Sequence, residues 1–252
     1  MTNDAIRMRL VERGQSLFEK KAKGGIKFTN ITAANRLLND LKRHPHAFVL
    51  ACIMDRQIKA ERAWLIPHLI SEKLGSFSMD DLAKLSQKKV FRLMSKPEPL
   101  HRFVDTMSGC FHGAIQKISS KYGGDASRMW VNCPSSAQVV FNFLEFDGVG
   151  PKIATMATNI LARDFKVPFS DFHSIDISAD VHVRRVFGRL GLCPSAATVE
   201  QLIYKARALH PEFPGIMDFP SWEIGRSWCR PRAPVCDDCY MQDLCPSAET
   251  SK

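Results

Sequence analysis

The sequence has no long apolar run. The longest uninterrupted one, residues 47–54, is far shorter than the roughly eighteen residues that a membrane span requires. The N-terminal residues are charged where a secretory signal peptide has its apolar segment. Tracts of low complexity, which are typical of disordered chains, are also missing. We therefore expect a soluble, cytoplasmic protein without a membrane partner, in which most of the chain folds.

Alternating apolar and polar residues, the pattern of a half-buried strand, are almost absent. Apolar residues instead recur with helical spacing, which predicts an all-α fold. The chain of 252 residues is long enough for one large domain or two small ones. The pattern predicts helices over residues 4–21, 33–44, 46–58, 60–74, 79–86, 100–121, 136–146, 151–162, 181–190, 196–209 and 220–228. Between residues 163 and 179, proline, serine and aspartate disfavour a continuous helix.

Acidic residues are in the minority. The chain carries 35 Lys and Arg against 26 Asp and Glu, a formal net charge of +9. An excess of positive charge suits a polyanionic partner such as nucleic acid. Charge alone is a weak indication, because many basic proteins bind no nucleic acid.

Half of the eight cysteines lie within seventeen residues near the C-terminus. Their spacing is C-x6-C-x2-C-x5-C, at Cys229, Cys236, Cys239 and Cys245. Four thiolates at this spacing suit either tetrahedral zinc or an iron–sulfur cluster. Zinc ribbons usually pair two close knuckles across a longer gap, so the compact loop favours a 4Fe-4S cluster.

A short glycine motif separates two predicted helices in the middle of the chain. Gly148, Val149 and Gly150 are followed by Pro151, which is favoured at the first position of a helix. Backbone N–H groups at such a turn can bind a phosphate oxygen without reading base sequence. A Gly-x-Gly turn is weak evidence by itself, because any tight helical hairpin can use one.

Three motifs in this order resemble the helix-hairpin-helix DNA glycosylase superfamily, in its endonuclease III-like iron–sulfur branch. They are the hairpin with Lys152, the segment Asp180-Val181-His182-Val183 and the cysteine loop. The resemblance extends over most of the chain from about Asp40. It implies a fold of two helical domains. The first comprises residues 30–162, and the second comprises residues 1–29 and 163–252 and holds a 4Fe-4S cluster. A DNA cleft is expected between the two domains.

The resemblance also implies the residues that carry the chemistry. Lys152 takes the position of the lysine nucleophile, whose amine forms a Schiff base with the sugar. Asp180 takes the position of the carboxylate that stabilises the cationic sugar. Two plainer interpretations stay open: Lys152 as a surface lysine that contacts phosphate, and Asp180 as a helix N-cap.

Other positions are assigned to DNA and pocket contacts by the same resemblance. Gln57 matches the glutamine that contacts the opposite strand or fills the space left by the flipped nucleotide, while Arg230 and Arg232 match a phosphate-contacting loop. Before the glutamine the family has small residues, but this chain has Asp55 and Arg56. These two are candidate pocket residues that alter the recognised base, although an exposed ion pair between them is an equally good interpretation.

These assignments predict a bifunctional DNA glycosylase and AP lyase of base excision repair. We expect it to act as a monomer, associated with the nucleoid, on double-stranded DNA that contains damaged bases or abasic sites. Two alternatives remain: a monofunctional DNA glycosylase, in which Lys152 only contacts phosphate, and a non-enzymatic iron–sulfur protein that binds distorted DNA.

Overall fold

A computed structural model describes residues 2–20 and 24–248 of the chain. Over these ranges the protein is helical and contains no β-strand, which confirms the predicted all-α class. None of the helices in the described ranges is long and apolar enough to cross a membrane. The α-helices are α1 (Thr2–Glu19), α2 (Thr32–Asn39), α3 (Pro45–Met54), α4 (Ala60–Leu74), α5 (Met79–Ala83), α6 (Gln87–Ser95), α7 (Val104–Tyr122), α8 (Ser136–Leu144), α9 (Pro151–Arg163), α10 (Val181–Arg189), α11 (Val199–Leu209) and α12 (Asp218–Ser227).

The chain divides into two compact units. Unit 1 takes in the described residues of Met1–Lys21, Ser135–Val140 and Thr158–Lys252, and unit 2 takes in those of Ala22–Pro134 and Phe141–Ala157. The domain limits inferred from the resemblance, residues 30–162 and residues 1–29 with 163–252, stay a prediction.

Helix α3 is the centre of unit 2. All ten of its residues are buried, and it packs against α2, α4 and α7. A helix that is apolar on every side must be surrounded by other elements, and Pro45 at its first position begins it without losing a hydrogen bond. Its burial fixes the loop that follows Met54, where the candidate pocket residues lie.

Unit 1 is organised around α10 and α12, which pack closely together. Helix α1 lies against α12, where the Arg13 guanidinium donates to both carboxylate oxygens of Glu223, at 3.0 and 2.6 Å. Bidentate pairs of this kind fix orientation as well as adding energy. The cysteine loop follows α12 directly.

Several helix limits differ from the predicted ones, each for a local reason. Ser86 was predicted to end a helix, but its hydroxyl accepts from the Lys89 N–H and begins α6, a helix that the pattern missed. The helix predicted to reach Ile58 ends at Met54, and Gln57 adopts a left-handed backbone with φ of 56°. Helix α4 has the predicted limits. The predicted end of the first helix, Lys21, lies outside the described residues.

Candidate functional site

The glycine hairpin has the predicted geometry. Helix α8 ends at Leu144 and α9 begins at Pro151, and between them the Val149 N–H donates to the Phe146 carbonyl at 3.1 Å. Gly148 has φ of +86°, and a Cβ there would lie 3.1 Å from the sulfur of Cys110. Gly148 is therefore required by both its backbone conformation and its close neighbour.

Gly150, the second glycine of the hairpin, has free space beside its Cα atom. A Cβ on Gly150 would meet no described atom within 4 Å, and the residue does not have a positive φ. Its carbonyl accepts from the N–H groups of Ile153 and Ala154, both at 3.0 Å, and so joins the first turn of α9. The first N–H groups of a helix have no partner within it. The hairpin thus leaves a helix N-terminus without a side chain over Gly150, which suits the approach of an anion.

Lys152 lies on the first turn of α9, directly after this hairpin. Its side chain is 49% exposed, and its Nζ lies 3.8 Å from Oδ2 of Asp55, whose side chain is only 9% exposed. The pair joins the end of α3 to the start of α9 within unit 2. Asp55, for which the sequence left open an ion pair with Arg56, thus forms an ion pair with Lys152.

The other two loop residues face solvent. Arg56 and Gln57 are exposed, and the guanidinium of Arg56 lies 3.8 Å from the position that a Cβ on Gly148 would occupy. Unit 2 therefore brings Asp55, Arg56, Lys152 and the hairpin together. Gln57 lies on the same loop, and its contact with DNA stays a prediction.

A buried histidine lies behind this loop and was not singled out from the sequence. His101 is fully buried, near the backbone of Met54 and Arg56, and its Nδ1 accepts from the Phe103 N–H at 2.9 Å. Burial lowers the pKa of His101, which favours the neutral ring.

Asp180 occupies the predicted N-cap position in unit 1. Its Oδ1 accepts from the N–H groups of His182 and Val183, both at 2.8 Å, and so begins α10. Because both bonds are made by Oδ1, capping does not use Oδ2. Lys152 belongs to unit 2, and the approach of both residues to one substrate stays a prediction.

A second carboxylate near Asp180 could not be found from the sequence. Asp218 is buried at the start of α12, and accepts from the backbone N–H of Ser178 at 2.6 Å and from its hydroxyl at 3.2 Å. Burial raises the pKa of Asp218 to about 6, and the negative charge of Asp180 acts in the same direction. Arg163 opposes the shift.

The four clustered cysteines border a single cavity of about 30 Å³ in unit 1. Apolar residues, among them Val186 and Ile224, complete its wall. Within the described ranges, no set of three or more His, Cys, Asp or Glu side chains is placed to hold a single metal ion. Four thiols around one cavity are a donor set that suits an iron–sulfur cluster or a tetrahedral zinc ion.

Arg189 of α10 stabilises the cysteine loop. Its guanidinium donates to the sulfur of Cys229 at 3.3 Å, to the Arg230 carbonyl at 2.8 Å and to the Pro231 carbonyl at 3.2 Å. The side chains of Arg230 and Arg232 are exposed on this loop. Burial raises the pKa of the thiols of Cys239 and Cys245, and the neighbouring cysteines raise both further.

Known proteins resemble this chain in sequence and in structure. No family model matches the chain. Endonuclease III of Thermotoga maritima is 26% identical over 192 residues, which cover 70% of this chain and 80% of that protein. Endonuclease III of Synechocystis is also 26% identical, over 55% of each chain. Endonuclease III-like protein 1 of Gallus gallus is 28% identical over 52% of this chain and 41% of its own length.

Solved structures with the same fold include a trapped endonuclease III–DNA covalent intermediate, with a TM-score of 0.64 and 16% identity over 98% of this chain and 97% of that one. A thermostable thymine-DNA glycosylase gives a TM-score of 0.65 at 15% identity, over 99% of this chain and all of that one. At these identities the structures show the fold, which is the endonuclease III fold. Together with the sequence relatives, they confirm the resemblance to the helix-hairpin-helix DNA glycosylase superfamily and its endonuclease III-like members.

Proposed function

We propose that this protein is a bifunctional DNA glycosylase and AP lyase of base excision repair. Its relatives are named endonuclease III, and one structural neighbour is a covalent complex of endonuclease III with DNA. The observation that carries the proposal is the position of Lys152, half-exposed on the first turn of α9, with the Gly148–Gly150 hairpin directly before it. A primary amine beside a phosphate-binding turn is within reach of a nucleotide sugar.

Binding to double-stranded DNA uses the backbone and basic side chains. The hairpin binds a phosphate through N–H groups at the start of α9, where Gly150 leaves room for the DNA backbone. Arg230 and Arg232, exposed on the cysteine loop, contact further phosphates. Gln57 and Arg56 meet the bases around a nucleotide that is flipped out of the duplex. The whole chain acts as a monomer on damaged bases or abasic sites.

Base removal requires a nucleophile and a negative charge near the sugar. The neutral amine of Lys152 attacks the anomeric carbon, and the bond to the base breaks with its electron pair leaving on the base. Oδ2 of Asp180, which the helix cap does not use, stabilises the positive charge that develops on the sugar. The bond from the anomeric carbon to the ring oxygen then breaks, the oxygen takes up a proton, and the open sugar is left as a Schiff base on Lys152. The Schiff base acidifies the neighbouring carbon, so that this carbon loses a proton, the phosphate leaves by β-elimination and the strand is cleaved.

The cofactor that fits the cysteine loop is a 4Fe-4S cluster held by Cys229, Cys236, Cys239 and Cys245. When bound, it supplies a rigid covalent link for the loop rather than a reacting centre. Arg189 already holds the backbone of this loop, which keeps Arg230 and Arg232 at the surface.

One observation favours a second candidate function. Lys152 is ion-paired with Asp55, and a paired ammonium also suits a lysine that only contacts phosphate. In that case the protein is a monofunctional DNA glycosylase.

Borohydride trapping tests the proposal before the lesion is known. A labelled duplex with one abasic site is incubated with the wild type and with Lys152→Ala, each with its iron content measured. We expect a covalent adduct with the wild type and none with Lys152→Ala, because only the amine forms a reducible Schiff base. Binding of the duplex without an adduct contradicts the lyase. Base release from damaged duplexes then separates a monofunctional glycosylase from a binding-only protein.

A further inference from the structure

Asp55 lies next to Lys152, the proposed nucleophile, and is almost inaccessible to solvent. Its backbone N–H donates to the Cys52 carbonyl at 3.0 Å and closes the end of α3, which fixes where its side chain starts. Oδ2 lies 3.8 Å from Nζ of Lys152, and the exposed fraction falls from 49% at Lys152 to 9% at Asp55. The lysine is thus accessible to a substrate, while its carboxylate partner is shielded from water.

A lysine cannot attack as an ammonium ion, because it has no electron pair to donate. The proton on Nζ must therefore be transferred to an acceptor before or during the attack. A buried carboxylate suits this task, since loss of solvent favours its protonated form. The other titratable groups near this loop and hairpin are Cys52 and Cys110, whose raised pKa values mean that they keep their own protons, the permanent cation Arg56, and Asp147 and His101. Among the carboxylates of the described residues, Asp55 is the one in an ion pair with Lys152.

We propose that the carboxylate of Asp55 accepts the proton that Lys152 gives up as its amine attacks the sugar. This inference rests on the proposed lyase function. One N–H bond breaks and one O–H bond forms on Asp55, while the C–N bond to the sugar forms and the bond to the base breaks. On an abasic site the leaving group is the hydroxyl of the anomeric carbon, which takes the proton that Asp55 has accepted and leaves as water. Asp180 keeps a separate task, the stabilisation of the cationic sugar.

The separation of 3.8 Å is longer than a strong hydrogen bond. Catalytic hydrogen bonds are often long in a free enzyme and shorten in the complex with substrate. Binding of DNA over Lys152 removes the water that reaches half of its side chain, and the interaction of the two groups strengthens as the local dielectric constant falls. Transfer of the proton then turns a desolvated ion pair into two neutral groups.

The test measures the single-turnover rate of adduct trapping from pH 5.5 to 9, on a duplex with one abasic site. The variants are Asp55→Asn, which keeps the shape but cannot accept the proton, and Asp55→Glu, which restores a carboxylate. Asp105→Asn, an exposed residue of α7 in the same unit, is the control for an equal change in charge. Helical circular dichroism and the affinity for a duplex with a tetrahydrofuran site show whether each variant folds and binds.

We expect Asp55→Asn to slow trapping by about 100-fold across the pH range, the order of a general-base contribution. Asp55→Glu should recover most of the rate, and Asp105→Asn should match the wild type. Should Asp55→Asn unfold, the smaller Asp55→Ser replaces it with the same expectation.

Two other results would overturn the inference, and they differ in what they say about the lyase function. If Asp55→Asn traps at the wild-type rate, or faster with a profile moved to lower pH, Asp55 only stabilises the ammonium, and the inference is overturned while the lyase stands. If the wild type itself gives no adduct, the proposed function fails and this inference fails with it.

Discussion

Replacing Asp218 with asparagine should make this protein more stable at neutral pH. Asp218 is buried in unit 1, and the two hydrogen bonds that it accepts both come from Ser178. The Asp218→Asn side chain has the same shape and keeps a carbonyl oxygen for the Ser178 N–H. It removes a negative charge that is poorly solvated and that lies close to Asp180.

The size of the effect follows from the pKa of Asp218, which burial raises from 3.8 to about 6. Each pKa step of one corresponds to about 1.4 kcal/mol, so ionisation of Asp218 destabilises the folded state by about 3 kcal/mol. Weaker hydrogen bonds to the neutral amide offset about 1 kcal/mol of this. The net gain at pH 7.5 is about 2 kcal/mol, or roughly 4–8 °C in Tm for a chain of this size.

The pH dependence has a definite sign. Between pH 4 and 6 the folded protein binds a proton at Asp218 that the unfolded chain has released. The contribution of this group to stability is therefore largest below pH 4, falls as the pH rises through 6, and is constant above about 7. The advantage of Asp218→Asn over the wild type should shrink from about 2 kcal/mol at pH 7.5 to nearly zero at pH 4.5.

Thermal unfolding of both proteins, followed by helical circular dichroism at the two pH values, checks this expectation. Asp176→Asn is a matched control, because Asp176 is also buried but forms a bidentate ion pair with Arg207, with both N–O distances 2.8 Å. Asp176→Asn should lower Tm at pH 7.5. A lower Tm for Asp218→Asn as well, or a gain that does not change with pH, would refute the reasoning.

Two further predictions concern the hairpin and the cysteine loop. Gly148→Ala should lower both Tm and the affinity for a duplex with an abasic site, because φ of +86° costs alanine about 1–2 kcal/mol and the new Cβ contacts Cys110. Gly150→Ala should lower the affinity but not Tm. If fluorescence anisotropy shows that Gly150→Ala binds as the wild type does, a phosphate contact at the hairpin is excluded. Cys239→Ser should lose bound iron and have a lower Tm, since a hydroxyl is a poor ligand for iron. The iron and zinc contents of the purified wild type and variant measure the loss. Zinc in place of iron in the wild type would contradict the 4Fe-4S cluster.

The parts of the fold that depend on neighbouring residues were predictable from the sequence. The hairpin with Pro151 at the start of α9 and the cap at Asp180 are set by residues within a few positions of each other. The same is true of the four cysteines, whose close spacing brings them to one cavity. Local signals also misled in one place, because Ser86 could end one helix or begin the next, and its hydroxyl decides for the second.

The contacts between distant parts of the chain were not predictable. Asp55 and Lys152 are almost a hundred residues apart, and nothing in either segment indicates that α3 ends beside the start of α9. Without that contact, the nearest opposite charge to Asp55 was its neighbour Arg56. The burial of Asp218 against Ser178 also depends on a contact between distant residues. From the sequence, a lone aspartate at the start of a helix is expected to be exposed.

Asp55 and Asp218 share a property that points to function. Each is a buried carboxylate, in a different unit. Asp55 lies beside Lys152, and Asp218 accepts from Ser178, two residues before Asp180. A buried carboxylate generally costs stability, and such costs are concentrated at functional sites. Their neutral isosteres therefore give a common test. If Asp55→Asn and Asp218→Asn leave the fold as stable as the wild type or more so while base release or adduct trapping falls, both carboxylates are kept for chemistry rather than for folding.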